Sequence, residues 1–225
     1  MRWQGWLHGL RWLCLLLTAA ASLLAHAVGP EVLHTEVQRS SDAVYLSARL
    51  RLAPAPAVEE ALLKGVPLYF VWQADIYHDR WYWTDKRVAS VTRTLRLVYQ
   101  PLTRRWRLSL ATGGGSSVAG LQYALHQNYD SLTDALAGVG RVSRWRLADE
   151  SRLRPGERHY LEWRFSLDLT LLPRPFQIGM ATQPEWDIGV ERTQRLPDQP
   201  EPAGPLETGR DSGEGLDPVE LSVQR

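Results

Sequence analysis

The sequence predicts an all-β protein, mainly antiparallel: a two-sheet, immunoglobulin-like β-sandwich carrying one or two short helices. Three observations predict it. Apolar residues recur at every second position in segment after segment, the period at which one face of a strand is buried. Turn signals separate these segments about every ten to fifteen residues. Helical signals are few, confined to two short stretches. A closed barrel would give the same pattern and is the alternative.

The N-terminal segment stands apart from this pattern. Arg2 and Arg11 flank a short positive region, "WLCLLLTAAASLLA" follows from Trp12 to Ala25, and Ala25-His26-Ala27 puts small residues where a signal peptidase reads. Residues 1–27 are therefore expected to be a secretory signal peptide, with a periplasmic or exported mature chain from Val28. The apolar run falls short of the roughly 20 residues of a comfortable transmembrane helix. Left uncleaved, it would be an inner-membrane anchor, the one expected route to membrane contact. Cys14, the single cysteine, lies inside the run and away from the cleavage site, which argues against lipidation. The mature chain thus has no disulfide and no thiolate zinc ligand, and must be held together by burial.

Val32–Arg39 is the first expected strand. In "VYLSARLRL", Val44, Leu46, Ala48, Leu50 and Leu52 share a face while Arg49 and Arg51 take the other. "VEEALLKG", after Pro54 and Pro56, makes two helical turns ending at Gly65. "VPLYFVWQADI" puts Val66, Leu68, Phe70, Trp72, Ala74 and Ile76 on one face. "VTRTLRLVY" and "WRLSLA" are strands around the turn "QPLTRR", where Pro101 presets φ and Tyr99 faces Trp106. "SLTDALAGVG" is a helix capped by Ser131, with Asp134 three residues on, Leu132, Ala135 and Leu136 along one side, and Gly138 as its stop.

Val142–Leu147 follows, and then "YLEWRFSLDL". There Leu161, Trp163, Phe165, Leu167 and Leu169 oppose Glu162, Arg164, Ser166 and Asp168. Phe176–Ala181 and Trp186–Thr193 are the last strands. Pro173 and Pro175 keep "LPRPF" extended without two ladder donors, which fits a chain passing from one sheet to the other. Asp168 is placed to bond the backbone or an arginine.

From Pro197 the composition changes to Pro, Gly and acids without an aromatic, seven acids against two arginines. Such a segment cannot bury enough apolar area to offset its ordering entropy, so 197–225 reads as a disordered acidic tail and 28–196 as one domain.

The mature chain carries 24 basic and 25 acidic residues, a balance with no general attraction to nucleic acid. No cofactor motif is present. Its histidines, His34, His78, His126 and His159, fall in four different elements, and no H-x-H or H-E-x-x-H occurs. Asp75, His78 and Asp79 come closest to a metal set, but an extended strand turns His78 away from the two aspartates. "GGGSSVAG", Gly113–Gly120, lacks both the Lys-Ser/Thr ending of a phosphate loop and the G-x-S-x-G elbow. Spacing alone singles out no carboxylate pair for glycoside hydrolysis.

The distinctive feature is tryptophan beside arginine: Arg80-Trp81, Arg105-Trp106-Arg107, Arg144-Trp145-Arg146 and Trp163-Arg164. In a sandwich, Trp fills the core while Arg solvates the outer face. "RWYWTD" is the segment where a surface platform is expected instead, so Arg80, Trp81, Tyr82, Trp83 and Asp85 are the candidate binding residues. Such a platform would stack a glycan or seat a protein partner.

"RWYWTDKRVAS", "RLVYQPLTRRWRL", "SLTDAL", "LDLTLLPRPFQI" and "WDI", in this order, resemble the uncharacterised proteobacterial exported family known as domain of unknown function 4390 (DUF4390). The likeness runs from about Val32 to Thr193. It implies export, no established activity, and an envelope-signalling context through a membrane sensor kinase encoded nearby. The acidic tail departs from the family pattern. The functional expectation is a non-enzymatic envelope interaction module with a protein partner; a carbohydrate-binding module is the alternative, and a hydrolase with an unrecognised acid pair comes third.

Overall fold

The computed structural model describes residues 29–80, 84–112, 122–154, 156–172, 177 and 183–200. Nine strands form two antiparallel sheets. The smaller has the order β1-β2-β7, from Glu31–Arg39, Ala43–Arg51 and Arg141–Asp149. The larger runs β6-β5-β4-β3-β8-β9, from Gln122–Tyr129, Arg105–Thr112, Lys86–Gln100, Leu68–His78, His159–Leu167 and Gly189–Arg195. Helix α1 spans Pro56–Leu63 and α2 spans Leu132–Val139. The predicted two-sheet sandwich is present, divided three against six where an immunoglobulin constant domain divides four against three.

Alternation sets the register. In β3 the even-numbered Leu68, Phe70, Trp72, Ala74 and Ile76 are buried, and their partners on β8, Leu167, Phe165, Trp163 and Leu161, are buried too. Phe70 stacks on Phe165 at 5.8 Å, and the Trp72 and Trp163 rings lie 5.5 Å apart. A one-residue slip would turn all of these rings outward, so the core itself fixes the pairing. The Trp72 indole N–H donates to the Val139 carbonyl at the end of α2 (3.0 Å), tying the larger sheet to that helix. Arg93, half-buried on the same inner face of β4, lies over the Trp145 ring of β7 at 5.1 Å and bridges the two sheets.

The tight turn and the helix cap form as the sequence predicts. Tyr99 pairs with Trp106 across the β4–β5 hairpin with rings 4.8 Å apart. The Asp134 backbone N–H donates to Ser131 Oγ at 3.1 Å. Gly138, however, does not stop α2. A Cβ there would meet the Tyr129 hydroxyl at 2.5 Å, so this glycine serves close packing inside the helix, which runs on to Val139 and is capped by Gly140.

Strand β6 was not foreseen, because "QYALHQNY" lacks a clean apolar alternation. It is an edge strand, and one wet face suffices there. Of the predicted strand Phe176–Ala181, all but Gln177 lie outside the described residues, as do Pro173 and Pro175. The last strand begins at Gly189 rather than Trp186, since Pro184–Trp186 is a turn of 3₁₀-helix. The signal segment lies outside the described residues, and so do residues 201–225. Among the described residues no helix is long and apolar enough to cross a membrane.

Candidate functional site

The β3–β8 ladder continues its inward alternation past Ile76 and Leu161 to one more pair, His78 opposite His159. Their rings are 5.4 Å apart. His159 is buried and His78 half-buried. Glu157 holds both: its backbone carbonyl is 3.0 Å from His159 Nδ1, and its carboxylate is 3.2 Å from His78 Nε2.

Around this pair opens a cleft of about 330 Å³. Three segments contribute cations to its lining. Arg80 follows β3, Lys86 and Arg87 open β4, and Arg152 and Arg154 come from the β7–β8 connection. All five are exposed, and Glu157 is the one acid in the lining. Arg154 reaches Glu157 at 3.4 Å and Arg87 reaches Asp75 at 3.8 Å. Lys86 and Arg152 have no ion-pair partner among the described residues.

This arrangement concentrates positive charge where the chain as a whole is balanced. Burial, more than any other influence, holds His159 below the usual histidine range, and the neighbouring charges of His78 and Arg39 push the same way. Guanidinium groups on a rim offer several fixed donors to a carboxylate or phosphate. The cleft therefore has the chemistry of an anion receptor.

Of the residues predicted from sequence, Arg80 lines the cleft. Asp85 does not; it secures the approach to it. One Asp85 carboxylate oxygen accepts from the Arg80 backbone N–H (3.1 Å) and the other from the Tyr160 hydroxyl (2.8 Å). These two bonds, the backbone one first, hold the Asp85 carboxyl below its ordinary range. Burial and the same bond push the Tyr160 phenol up to about 12. Arg80 and Asp85 are thereby fixed to each other and to β8. Trp81, Tyr82 and Trp83, between them, lie outside the described residues.

The remaining tryptophans of the Trp–Arg pairs are core residues. Trp106, Trp145 and Trp163 are all buried, while Arg105, Arg144, Arg146 and Arg164 beside them are exposed. Arg144 lies over the Tyr45 ring at 4.8 Å, across strands as the alternation requires.

The outer face of the larger sheet carries a second polar cluster that sequence reasoning missed. Asp75 and Glu162 are direct register partners on β3 and β8, beside the stacked Tyr77 and Tyr160 rings (5.2 Å). Asp75 is buried and accepts from the Gln73 amide at 2.7 Å. A hydrogen bond to Glu191 raises the Glu162 carboxyl, while Arg164, 2.8 Å from Glu191, helps to lower that of Glu191. The depression lined by Asp75, Tyr77, Glu162 and Arg164, with Gln73 and Arg87, measures about 130 Å³, below the range of roughly 300–1,000 Å³ typical of ligand pockets.

Ser109 Oγ and His126 Nδ1 are 2.8 Å apart on β5 and β6, but Ser109 is 1 % exposed, which closes its hydroxyl to a substrate. Asp75 and His78 point to opposite faces of β3, and among the described residues no group of three or more His, Cys, Asp or Glu is placed to hold a metal. The Gly113–Gly120 segment lies outside the described residues.

Neither a curated protein nor a solved structure matches the chain. One family model does, over residues 28–196, almost the whole span that the strands occupy. Its description is "Domain of unknown function (DUF4390)", and the chain belongs to that family.

Proposed function

We propose that the chain is an exported, non-enzymatic binding module that takes an acidic segment of a cell-envelope protein into the basic cleft. The observation that carries this reading is the convergence of five cations from three separate segments on one cleft with a single acid in its lining. A sandwich does not need that arrangement for stability: like charges brought together repel, and exposed ones gain little from pairing. A sensor kinase of the envelope is a partner class compatible with the reading, provided that its exported part offers an acidic stretch.

The carbohydrate reading rests on Trp81 and Trp83, which follow Arg80 in the sequence, and predicts a different ligand. Retention on immobilised poly-L-glutamate and on purified peptidoglycan separates the two. The interaction reading expects salt-sensitive retention on poly-L-glutamate, weakened in Lys86→Ala/Arg152→Ala/Arg154→Ala and kept in Trp81→Ala/Trp83→Ala. The reverse pattern, peptidoglycan retention lost with the tryptophans, would replace it by the glycan reading.

A further inference from the structure

The C-terminal end of the folded domain is bound beside the cleft. The Leu196 backbone N–H donates to the His159 carbonyl at 3.0 Å. Arg39, 3 % exposed, then accounts for the next two residues: its guanidinium donates to the Pro197 and Asp198 carbonyls at 3.0 and 2.9 Å. The same guanidinium pairs with Glu150 at 2.6 Å, in the turn that leads to Arg152. Arg39 is also close enough to bear on His159, a lining residue of the cleft. The chain is thus delivered to the cleft's edge and held there at Asp198.

The residues after Pro200 are the charge complement of that edge. Residues 28–196 carry 22 basic and 18 acidic residues, whereas 201–225 contain Glu201, Glu207, Asp211, Glu214, Asp217 and Glu220 against Arg210 and Arg225. Leu196 already bonds a lining residue, His159, and at about 3.3 Å per extended residue a 25-residue segment has length to spare.

We propose that this acidic segment, residues 201–225, docks in the basic cleft of its own chain and competes there with the acidic partner. The inference rests on the binding reading given above and assigns its regulation: the cleft opens to a partner when the segment is displaced. A tethered segment acts at an effective concentration on the order of millimolar, so even a weak electrostatic contact is populated.

The chain contains two lysines, which makes the test specific. Lys86 lines the cleft; Lys64 lies just before β3, at the opposite end of that strand from His78, Lys86's register partner, and pairs with Glu60 at 2.7 Å. Zero-length carbodiimide crosslinking of the full chain, read by peptide mass spectrometry, should join carboxylates of 201–225 to Lys86 and not to Lys64. The links should fade in 0.5 M salt, at a Debye length of about 4 Å. Absence of tail crosslinks, or equal yield at both lysines, overturns the docking.

A second measurement keeps this outcome separate from the fate of the binding reading. Poly-L-glutamate is titrated into the full chain and into a chain whose six tail acids are changed to Asn or Gln. Docking predicts at least about tenfold tighter binding to the neutralised chain. Equal binding to both overturns docking and leaves the cleft as a receptor; no binding to either overturns both.

Discussion

The β3–β8 ladder has the same register and the same inward alternation along its length, yet its middle and its end have opposite chemistry. In the middle, Phe70, Trp72, Trp163 and Phe165 are 2 % exposed or less and pack ring against ring. Two steps beyond Ala74 and Trp163, the same face carries His78 and His159, bordered by arginines and a lysine. The difference is one of neighbours. Trp72 packs against α2 and its strand partners, whereas His78 and His159 border on segments that leave the sheets. The core gives rigidity by excluding water, and the end can hold charge because its five cations are exposed to water.

Removing the centre should have the largest effect. Trp72→Ala deletes a fully buried ring and the hydrogen bond to Val139, and is expected to cost about 3–5 kcal/mol in denaturant unfolding. A loss under 1 kcal/mol would mean that the ladder's middle is not the stabilising core. At the end of the ladder, Arg39→Ala leaves Glu150 and two carbonyls without their donor. Removing one partner of a buried pair costs about 3–5 kcal/mol; with Glu150 19 % exposed, about 3 kcal/mol is expected.

Gly140→Ala comes next. Its Cβ would lie 2.6 Å from the Leu50 carbonyl oxygen, a backbone atom with no rotamer to yield. A loss of about 1–3 kcal/mol is expected by the same unfolding measurement.

The pH dependence sharpens the contrast further. His159 is held below its ordinary value by burial and by His78 and Arg39, with Glu157 pulling the other way. As pH falls through about 6.5 the unfolded chain takes up this proton first. Stability from this site is therefore complete above about 6.5 and is lost as pH falls towards the lower folded value. Thermal unfolding at pH 7.5 and 5.5 should show a drop that His159→Asn reduces. The smallest effect is expected for Arg144→Ala, which removes an exposed guanidinium from Tyr45 and should cost about 0.5–1 kcal/mol.

The sequence made the core legible because burial writes itself as a period. Trp72, Trp163 and the buried residues beside them recur at every second position, with Glu162 and Arg164 flanking Trp163 on the other face, and Tyr99 and Trp106 are separated by a turn that fixes their pairing. The cleft left no such trace. Arg80, Lys86 and Arg87 are close in sequence, but Arg152 and Arg154 join them only because β8 pairs with β3 and brings the β7–β8 connection to the same end. Asp75 and Glu162 were likewise separate until the register made them neighbours. Of "RWYWTD", Arg80 lines the cleft, and the other charges that converge there come from residues outside the segment.

On the function proposed above, the end of the ladder, and not its outer face, receives an acidic partner. Fluorescence anisotropy of labelled poly-L-glutamate with the tail-neutralised chain tests it directly, comparing the chain as such with Lys86→Ala/Arg152→Ala/Arg154→Ala. A variant at the outer face, Arg164→Ala, serves as control. The account predicts binding that the triple substitution weakens at least about tenfold and that Arg164→Ala leaves unchanged. Equal binding by the triple variant, or loss with Arg164→Ala alone, would contradict it.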